Sequence, residues 1–239
     1  MAPLLWNLYA RCYDSITALL PYQELLDDVV AAMNLAPGMR ILDAGCGTGA
    51  LAERIVARYP DVELVGVDMA KAMLARARAR RSWPALVRFV EGTIDDVLAR
   101  ETKPFDCIVS VNVLWTLPDP RRTLRAMVAR LGAHGSMVHT TPSWRFRAHA
   151  IVWRHLQGLV RGQGWRLLLG LPMLMVAGFL NSVLVVQSML RARGPGARKR
   201  WHAEGLAELL RAAGASVRAQ RPCYAGQNVL LLCQREPPF

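Results

Sequence analysis

The chain is poor in the residues that build metal and disulfide frameworks. Its 239 residues include 5 cysteines, at Cys12, Cys46, Cys107, Cys223 and Cys233, with no Cys-x-x-Cys spacing and no paired histidines. That scatter argues against a zinc or other metal site, and the odd count argues against a closed disulfide set. A reducing cytoplasm is the expected setting. The start, Met1-Ala-Pro-Leu-Leu-Trp, lacks the charged opening and long apolar run of a secretory leader. Repeats and low-complexity tracts are also missing. Acidic residues are scarce in one place only. From Trp144 to Arg221 there are 13 lysines and arginines against 2 acids, whereas Met1 to Ser143 holds 16 against 15. The formal net charge of +12 therefore belongs to one segment, and general polyanion binding does not follow from it.

What is present is an α/β pattern. The composition is 53% hydrophobic, ample for a packed core. Between residues 37 and 141, short β-branched runs alternate with helical stretches, the pattern of βαβ units on a parallel sheet. The expected strands are Arg40–Ala44, Val62–Val67, Val87–Glu91, Phe105–Val111 and Ser136–Thr140. Helices are expected near 21–35, 50–59, 70–81 and 119–131. The last opens on Asp119 as N-cap with Pro120 at the first helical position, and Gly132 is the expected stop. After residue 201 come a helix over His202–Ala213, ending at Gly214, and two strands over Ser216–Gln220 and Asn228–Gln234.

One segment carries chemistry: Ile41-Leu42-Asp43-Ala44-Gly45-Cys46-Gly47-Thr48-Gly49. Ile41–Asp43 ends a strand, and the glycines turn it into a helix. Glycine is needed there because the backbone turns tightly and a ligand must approach without Cβ interference. The next strand ends at Val67-Asp68, where an acid can accept hydrogen bonds from both hydroxyls of a ribose. A dinucleotide fold would use Gly-x-Gly-x-x-Gly to set a helix start on a pyrophosphate. Here the third glycine comes one residue early and Asp43 precedes the triplet. An acid beside the loop suits a cationic ligand better than a pyrophosphate.

In this motif order, residues 9–141 resemble the class I S-adenosylmethionine-dependent methyltransferases of the small-molecule and lipid group. The matching segments are Tyr9-Ala-Arg-Cys-Tyr13-Asp14, Ile41–Gly49, Val65-Gly66-Val67-Asp68, Phe105–Pro120 and Leu131–Val138. The resemblance implies a doubly wound, mostly parallel, seven-stranded Rossmann-like sheet. It also implies S-adenosylmethionine as cofactor, S-adenosylhomocysteine as product, and no metal. By the same resemblance Tyr13 covers the cofactor, the loop of Asp43, Gly45, Cys46, Gly47 and Gly49 holds its methionine portion, and Asp68 binds the ribose. Met69 and Met73, Thr93 and Ile94, and Asn112 and Val113 complete the implied set. Two positions depart from the family. Gly92-Thr93-Ile94 replaces Gly-Asp-Ala, so the acid for the adenine amino group is gone, with Asp95 or the backbone near Ile94 as substitutes. Trp115-Thr116 replaces two histidines in the motif after the fourth strand, which removes the obvious acid–base residues near the methyl group.

The remaining candidates are single residues. His139, on the fifth strand, is the one offered as general base; His134, His149, His155 and His202 are weaker. Cys46 reads as packing rather than as a nucleophile, since methyl transfer from a sulfonium is a direct in-line displacement. Tyr224 reads as a strand residue with a wet tip whose hydroxyl lies within possible reach of an acceptor.

An inserted helical cap is expected at 144–200 within a single domain over 1–239. Leu167–Leu190 is 24 residues without a formal charge, long enough to prompt a transmembrane reading. A span would separate the parts of one sheet, which argues against it. Arg145, Arg147, Arg154, Arg161 and Arg166 flank the run on one side, and Arg191, Arg193, Arg198, Lys199 and Arg200 on the other. Trp144, Trp153, Trp165 and Trp201 lie among them. A hydrophobic acceptor lid, an interfacial helix pair on the inner face of a membrane, and a homodimer interface all fit that pattern. No nucleic-acid partner is expected, because an apolar run is a poor surface for bases. The expected reaction is methyl transfer to an O, N or C nucleophile of a small hydrophobic or lipid-like acceptor. The rivals are a degenerate binding or assembly protein on the same fold and an RNA methyltransferase.

Overall fold

The structure, a computed structural model, describes residues 2–142, 147–158 and 203–236. The chain runs α1 (Ala2–Thr17), α2 (Leu20–Met33), β1 (Arg40–Ala44), α3 (Ala50–Arg58), β2 (Glu63–Asp68), α4 (Lys71–Ala79), β3 (Val87–Glu91) and α5 (Ile94–Arg100). It continues with β4 (Phe105–Val111), a short 3-10 turn (Leu114–Thr116), α6 (Pro120–Ala129), β5 (Leu131–Pro142), α7 (Ala148–Gly158), α8 (Ala203–Ala212), β6 (Ala215–Cys223) and β7 (Asn228–Arg235).

Seven strands form one sheet in the order β3-β2-β1-β4-β5-β7-β6, with β7 antiparallel to both neighbours and the rest parallel. The expected doubly wound, mostly parallel sheet is therefore present. Ile41, Leu64, Cys107, Val109, Val138 and Leu230 meet α2 and α3 on one face. Leu42, Val65, Ile108, Met137 and Leu231 meet α5, α6 and α8 on the other. Successive strand residues point to opposite faces. This alternation later separates the useful side chains of β1 and β5.

The differences from the expected elements have local causes. β5 is longer than the expected 136–140, because Leu131 already pairs with Phe105 and an irregularity between Phe105 and Cys107 absorbs the extra residues. Gly132 lies inside that strand, so α6 stops without it, at Arg130. At the other end of α6 Asp119 does cap, accepting from the N–H groups of Arg121 and Arg122. α5 answers no helix expected from periodicity; its start is set by Thr93, whose hydroxyl accepts from the Asp96 N–H. β6 tolerates Pro222 near its end because it is an edge strand.

Most of the insertion expected at 144–200 lies outside the described residues, as do Trp201 and His202. Its first part is α7, docked on α2. There the Leu20 N–H donates to His155 Nδ1 at 3.2 Å, and Arg154 pairs with Glu24. The opposite side of α7 exposes Val152, Trp153 and Leu156. Among the described residues, no helix is long and apolar enough to cross a membrane.

Candidate functional site

β1 and β4 are sheet neighbours, yet β1 leads into α3 on one face and β4 leads toward α6 on the other. Loops diverge at such a switch point and leave a crevice beyond the strand ends. The glycine loop sits there. Gly45 and Cys46 donate their N–H groups to Val67 O at 2.8 and 2.9 Å, which turns the loop toward β2. Gly45, Gly47 and Gly49 have φ of +82°, +53° and +77°, a region that side chains with a Cβ enter only at a cost. Gly45 is also sterically closed: a Cβ there would lie 2.3 Å from Val113 Cγ2.

Two acids serve this loop differently. Asp68, at the end of β2, accepts from Gly47 N–H at 3.0 Å and from Ala70 N–H at 2.8 Å, so it ties the loop to the start of α4. Burial pushes its pKa up, while those backbone bonds oppose the rise. Asp43 is 2% exposed, and its Oδ2 is buried without a hydrogen-bond partner among the described residues. Burial, and then the neighbouring Asp68, push its pKa up to about 7. A buried acid left this way is unfavourable until something donates to it or brings positive charge.

Aromatic residues wall the crevice. Trp6, Tyr9 and Tyr13 of α1, Tyr22 of α2 and Tyr224 of the β6–β7 turn form a continuous run of edge-on and tilted contacts, with ring centroids 5.2 to 6.4 Å apart. Tyr13 and Tyr22 share a hydrogen bond between hydroxyls at 2.8 Å, and a Cβ on Gly47 would touch Tyr13 at 3.6 Å. Burial raises the pKa of both phenols, so at neutral pH they keep their protons. Tyr13, Tyr22, Asp43, Gly45, Cys46 and Thr48 line one cleft.

Asp14 holds this wall in place. Its Oδ1 accepts from Thr48 Oγ1 at 2.7 Å and from Arg80 at 2.6 Å, and its Oδ2 pairs with Arg76 at 2.7 Å. One carboxylate thus joins α1 to the glycine loop and to α4.

Of the residues expected at the site, the structure gathers Tyr13, Asp43, Gly45, Cys46, Gly47, Gly49, Asp68 and Val113 around the loop. Met69 stands beside Asp68 with its side chain exposed. Met73 does not join them: it is 2% exposed and sits under α1 with Tyr9, Ala10, Cys12 and Ala70. Thr93 uses its hydroxyl to cap α5, and Ile94 packs into the core beneath the sheet. Asp95 pairs Oδ2 with Arg122 at 3.3 Å, while its Oδ1 is buried without a hydrogen-bond partner among the described residues. Asn112 adopts φ +59° just past β4.

His139 is the clearest correction. It is fully buried beside Met137 and Leu231, on the α6 and α8 face, whereas Asp43 faces α2 and α3. Burial lowers its pKa to about 4. A general base must reach the reacting proton, and His139 points away from the cleft. Tyr22 and Asn228 were not expected at the site. No spacing in the sequence marks either one, because each arrives from an element brought up only by folding.

Residues 41–135 match the family described as "Methyltransferase domain". The chain is 32% identical over 133 residues to the ubiquinone biosynthesis O-methyltransferase of Hahella chejuensis, covering 53% of this chain and 55% of that protein. It is 33% identical over 142 residues to the trans-aconitate 2-methyltransferase of Variovorax paradoxus, covering 59% and 51%. The chain thus spans about half the length of the curated relatives it matches. In fold it is similar to the methyltransferase solved in complex with the Haloferax volcanii Trm112 methyltransferase activator, with TM-score 0.65, 15% identity and 98% of each chain covered. Sheet order and glycine loop agree with that match: over residues 41–135 the chain is similar to the methyltransferase-domain family, and its fold is that of the solved methyltransferases it resembles.

Proposed function

We propose that the chain transfers a methyl group from S-adenosylmethionine to a nucleophile of a small hydrophobic or lipid-like acceptor. The observation that carries the cofactor half is Asp43 Oδ2, buried and without a hydrogen-bond partner among the described residues, in a cleft floored by left-handed glycines. An ammonium group is the natural partner for such an oxygen. Asp43, Gly45, Gly47 and Tyr13 would hold the amino-acid end, and Asp68 the ribose. Asp95 Oδ1 supports the adenine contact that Thr93, now a helix cap, does not make. When bound, the cofactor supplies an electrophilic methyl on a sulfonium.

The chain's own contribution is alignment and exclusion of water. Tyr13 and Tyr22 keep their protons and so orient by donating rather than by abstracting. Thr116, at one of the altered motif positions, donates its hydroxyl to Val113 O at 2.7 Å and shapes the turn after β4. The exposed Val152, Trp153 and Leu156 on α7 support a hydrophobic acceptor or a peripheral lipid contact at the root of the 144–200 segment.

Titration calorimetry with S-adenosylmethionine and S-adenosylhomocysteine tests the cofactor half, with binding to one site per chain expected. Transfer of labelled methyl into a lipid extract, and its absence from RNA and from small polar acids, tests the acceptor half. Binding without transfer to any acceptor class would favour a degenerate binding protein, the reading supported by the loss of both motif histidines at Trp115 and Thr116.

A further inference from the structure

The turn after β4 must come close to the glycine loop, and Asn112 makes that turn in a conformation few residues adopt. Its φ of +59° is left-handed, which for a residue with a Cβ costs on the order of 1 kcal/mol. Val113 follows immediately and presses its side chain into the space that Gly45 leaves open. The strained residue and the close approach are therefore one feature.

That conformation is held from outside the turn. Asn112 N–H donates to Thr140 O at 3.1 Å and to Thr140 Oγ1 at 3.2 Å. Its side-chain Oδ1 accepts from Asn228 Nδ2 at 2.7 Å, and more weakly from Thr140 Oγ1 at 3.4 Å. Asn228 is 1% exposed and is the first residue of β7, opposite Pro142 at the end of β5.

The hairpin that delivers Asn228 carries further strain. Tyr224 and Ala225 have φ of +54° and +53°, and Gln227 N–H closes the turn on Tyr224 O at 3.0 Å. The same tip sets the Tyr224 ring edge-on to Tyr22 at 5.8 Å. Three non-glycine left-handed residues thus gather in the structure that braces both sides of the cleft. Strain of this kind persists only where surrounding contacts over-determine it.

We infer that Asn228 is a positioning residue: its amide holds Asn112 in the left-handed turn and so sets Val113 against the glycine loop that receives the cofactor. This inference rests on the proposed cofactor site. A merely structural role, satisfying buried polar groups where β7 starts, predicts lost stability without a specific link to Asn112. Glycine at 112 removes the conformational cost that Asn228 offsets, so the two roles separate in a double-mutant cycle.

S-adenosylhomocysteine affinity is measured by calorimetry on the full-length protein for wild type, N228A, N112G and N112G/N228A, with melting temperatures alongside. N228A is expected to weaken binding roughly tenfold. In the N112G background the same change is expected to alter affinity less than about twofold. Unchanged affinity in N228A, or equal losses in both backgrounds, would overturn the inference while leaving the cofactor site intact. Absence of binding by wild type would overturn the functional reading and this inference together. If N228A does not fold, N228L, which is of similar size and lacks the donor, enters the same cycle with the same two outcomes.

Discussion

The hydroxyls of Tyr13 and Tyr22 lie 2.8 Å apart, bonding the helix that covers the glycine loop to the helix that packs on the sheet. Tyr22 is buried and Tyr13 half-buried, so each hydroxyl satisfies the other where water has little access. Removing one leaves its partner unpaired, which costs about 1–3 kcal/mol, whereas removing both is milder. Y22F is therefore expected to lower stability by about 1–2 kcal/mol and to weaken S-adenosylhomocysteine binding several-fold. Y13F/Y22F should be closer to wild type in stability than Y22F is. Denaturant unfolding of the three proteins checks this, and additive losses would contradict it.

Cofactor affinity should depend on the charge of Asp43. With its pKa at about 7 in the ligand-free protein, the acid is largely protonated below that pH, and a ligand ammonium must then displace the proton. Affinity is expected to fall up to tenfold per pH unit below about 7 and to level off above it. D43N should bind weakly with no such slope. Calorimetry between roughly pH 5.5 and 8.5 reads both.

Asp43 and His139 should also shift stability in opposite directions as pH changes. Asp43 has a folded pKa raised from 3.8 to about 7, so its ionisation destabilises the ligand-free fold as pH rises through that window. His139 has a folded pKa lowered from 6.5 to about 4. Below pH 6.5 the unfolded chain binds a proton that the folded chain refuses, and stability is lost on acidification by up to about 3 kcal/mol. The wild-type profile between about pH 4 and 6.5 is then flatter than either effect alone. H139L should expose a stability that falls as pH rises, and D43N one that falls as pH drops. Identical profiles in all three would contradict both assignments.

Loss of Asp14 should loosen α1. Its carboxylate meets Thr48, Arg76 and Arg80 but is partly exposed, so its ion pairs are screened and each is worth well under 1 kcal/mol. D14A is expected to destabilise by about 1 kcal/mol and to speed tryptic cleavage at Arg11. Limited proteolysis with and without S-adenosylhomocysteine would show protection returning on binding.

Gly45 tolerates no side chain. G45A meets Val113 Cγ2 at 2.3 Å in a left-handed backbone, and its S-adenosylhomocysteine affinity should fall at least tenfold on the order of the combined clash and strain. V113A in that background should recover part of the loss, because it relieves the clash and leaves the strain.

Much of this fold was readable without coordinates. β1, β3 and β4 fall at the expected residues: β1 and β4 are largely buried and write near-continuous apolar runs, while β3, a half-exposed edge strand, is marked by its valines and phenylalanine. The glycine loop and Asp68 were readable for a related reason: a tight turn, a strand tip and a helix start are all local in sequence. α5 was not, since seven residues hold too few turns for a period to show and a capping threonine decides its start. Thr93 was placed at the ligand by resemblance, yet its hydroxyl is taken by the helix it begins.

The sequence by itself determined where the first strands lie, the tight glycine turn and the acid beside it, because backbone conformation and strand alternation act between near neighbours. Tertiary structure decided the rest. Alternation says that His139 and Val138 face opposite ways, but not which face holds the cleft; packing against α6 and α8 sends His139 to the far side. Likewise Tyr22 reaches the cleft from α2, while Tyr224 packs on Tyr22 and Asn228 on Asn112 from the β6–β7 hairpin, far along the chain, so only folding brings them together.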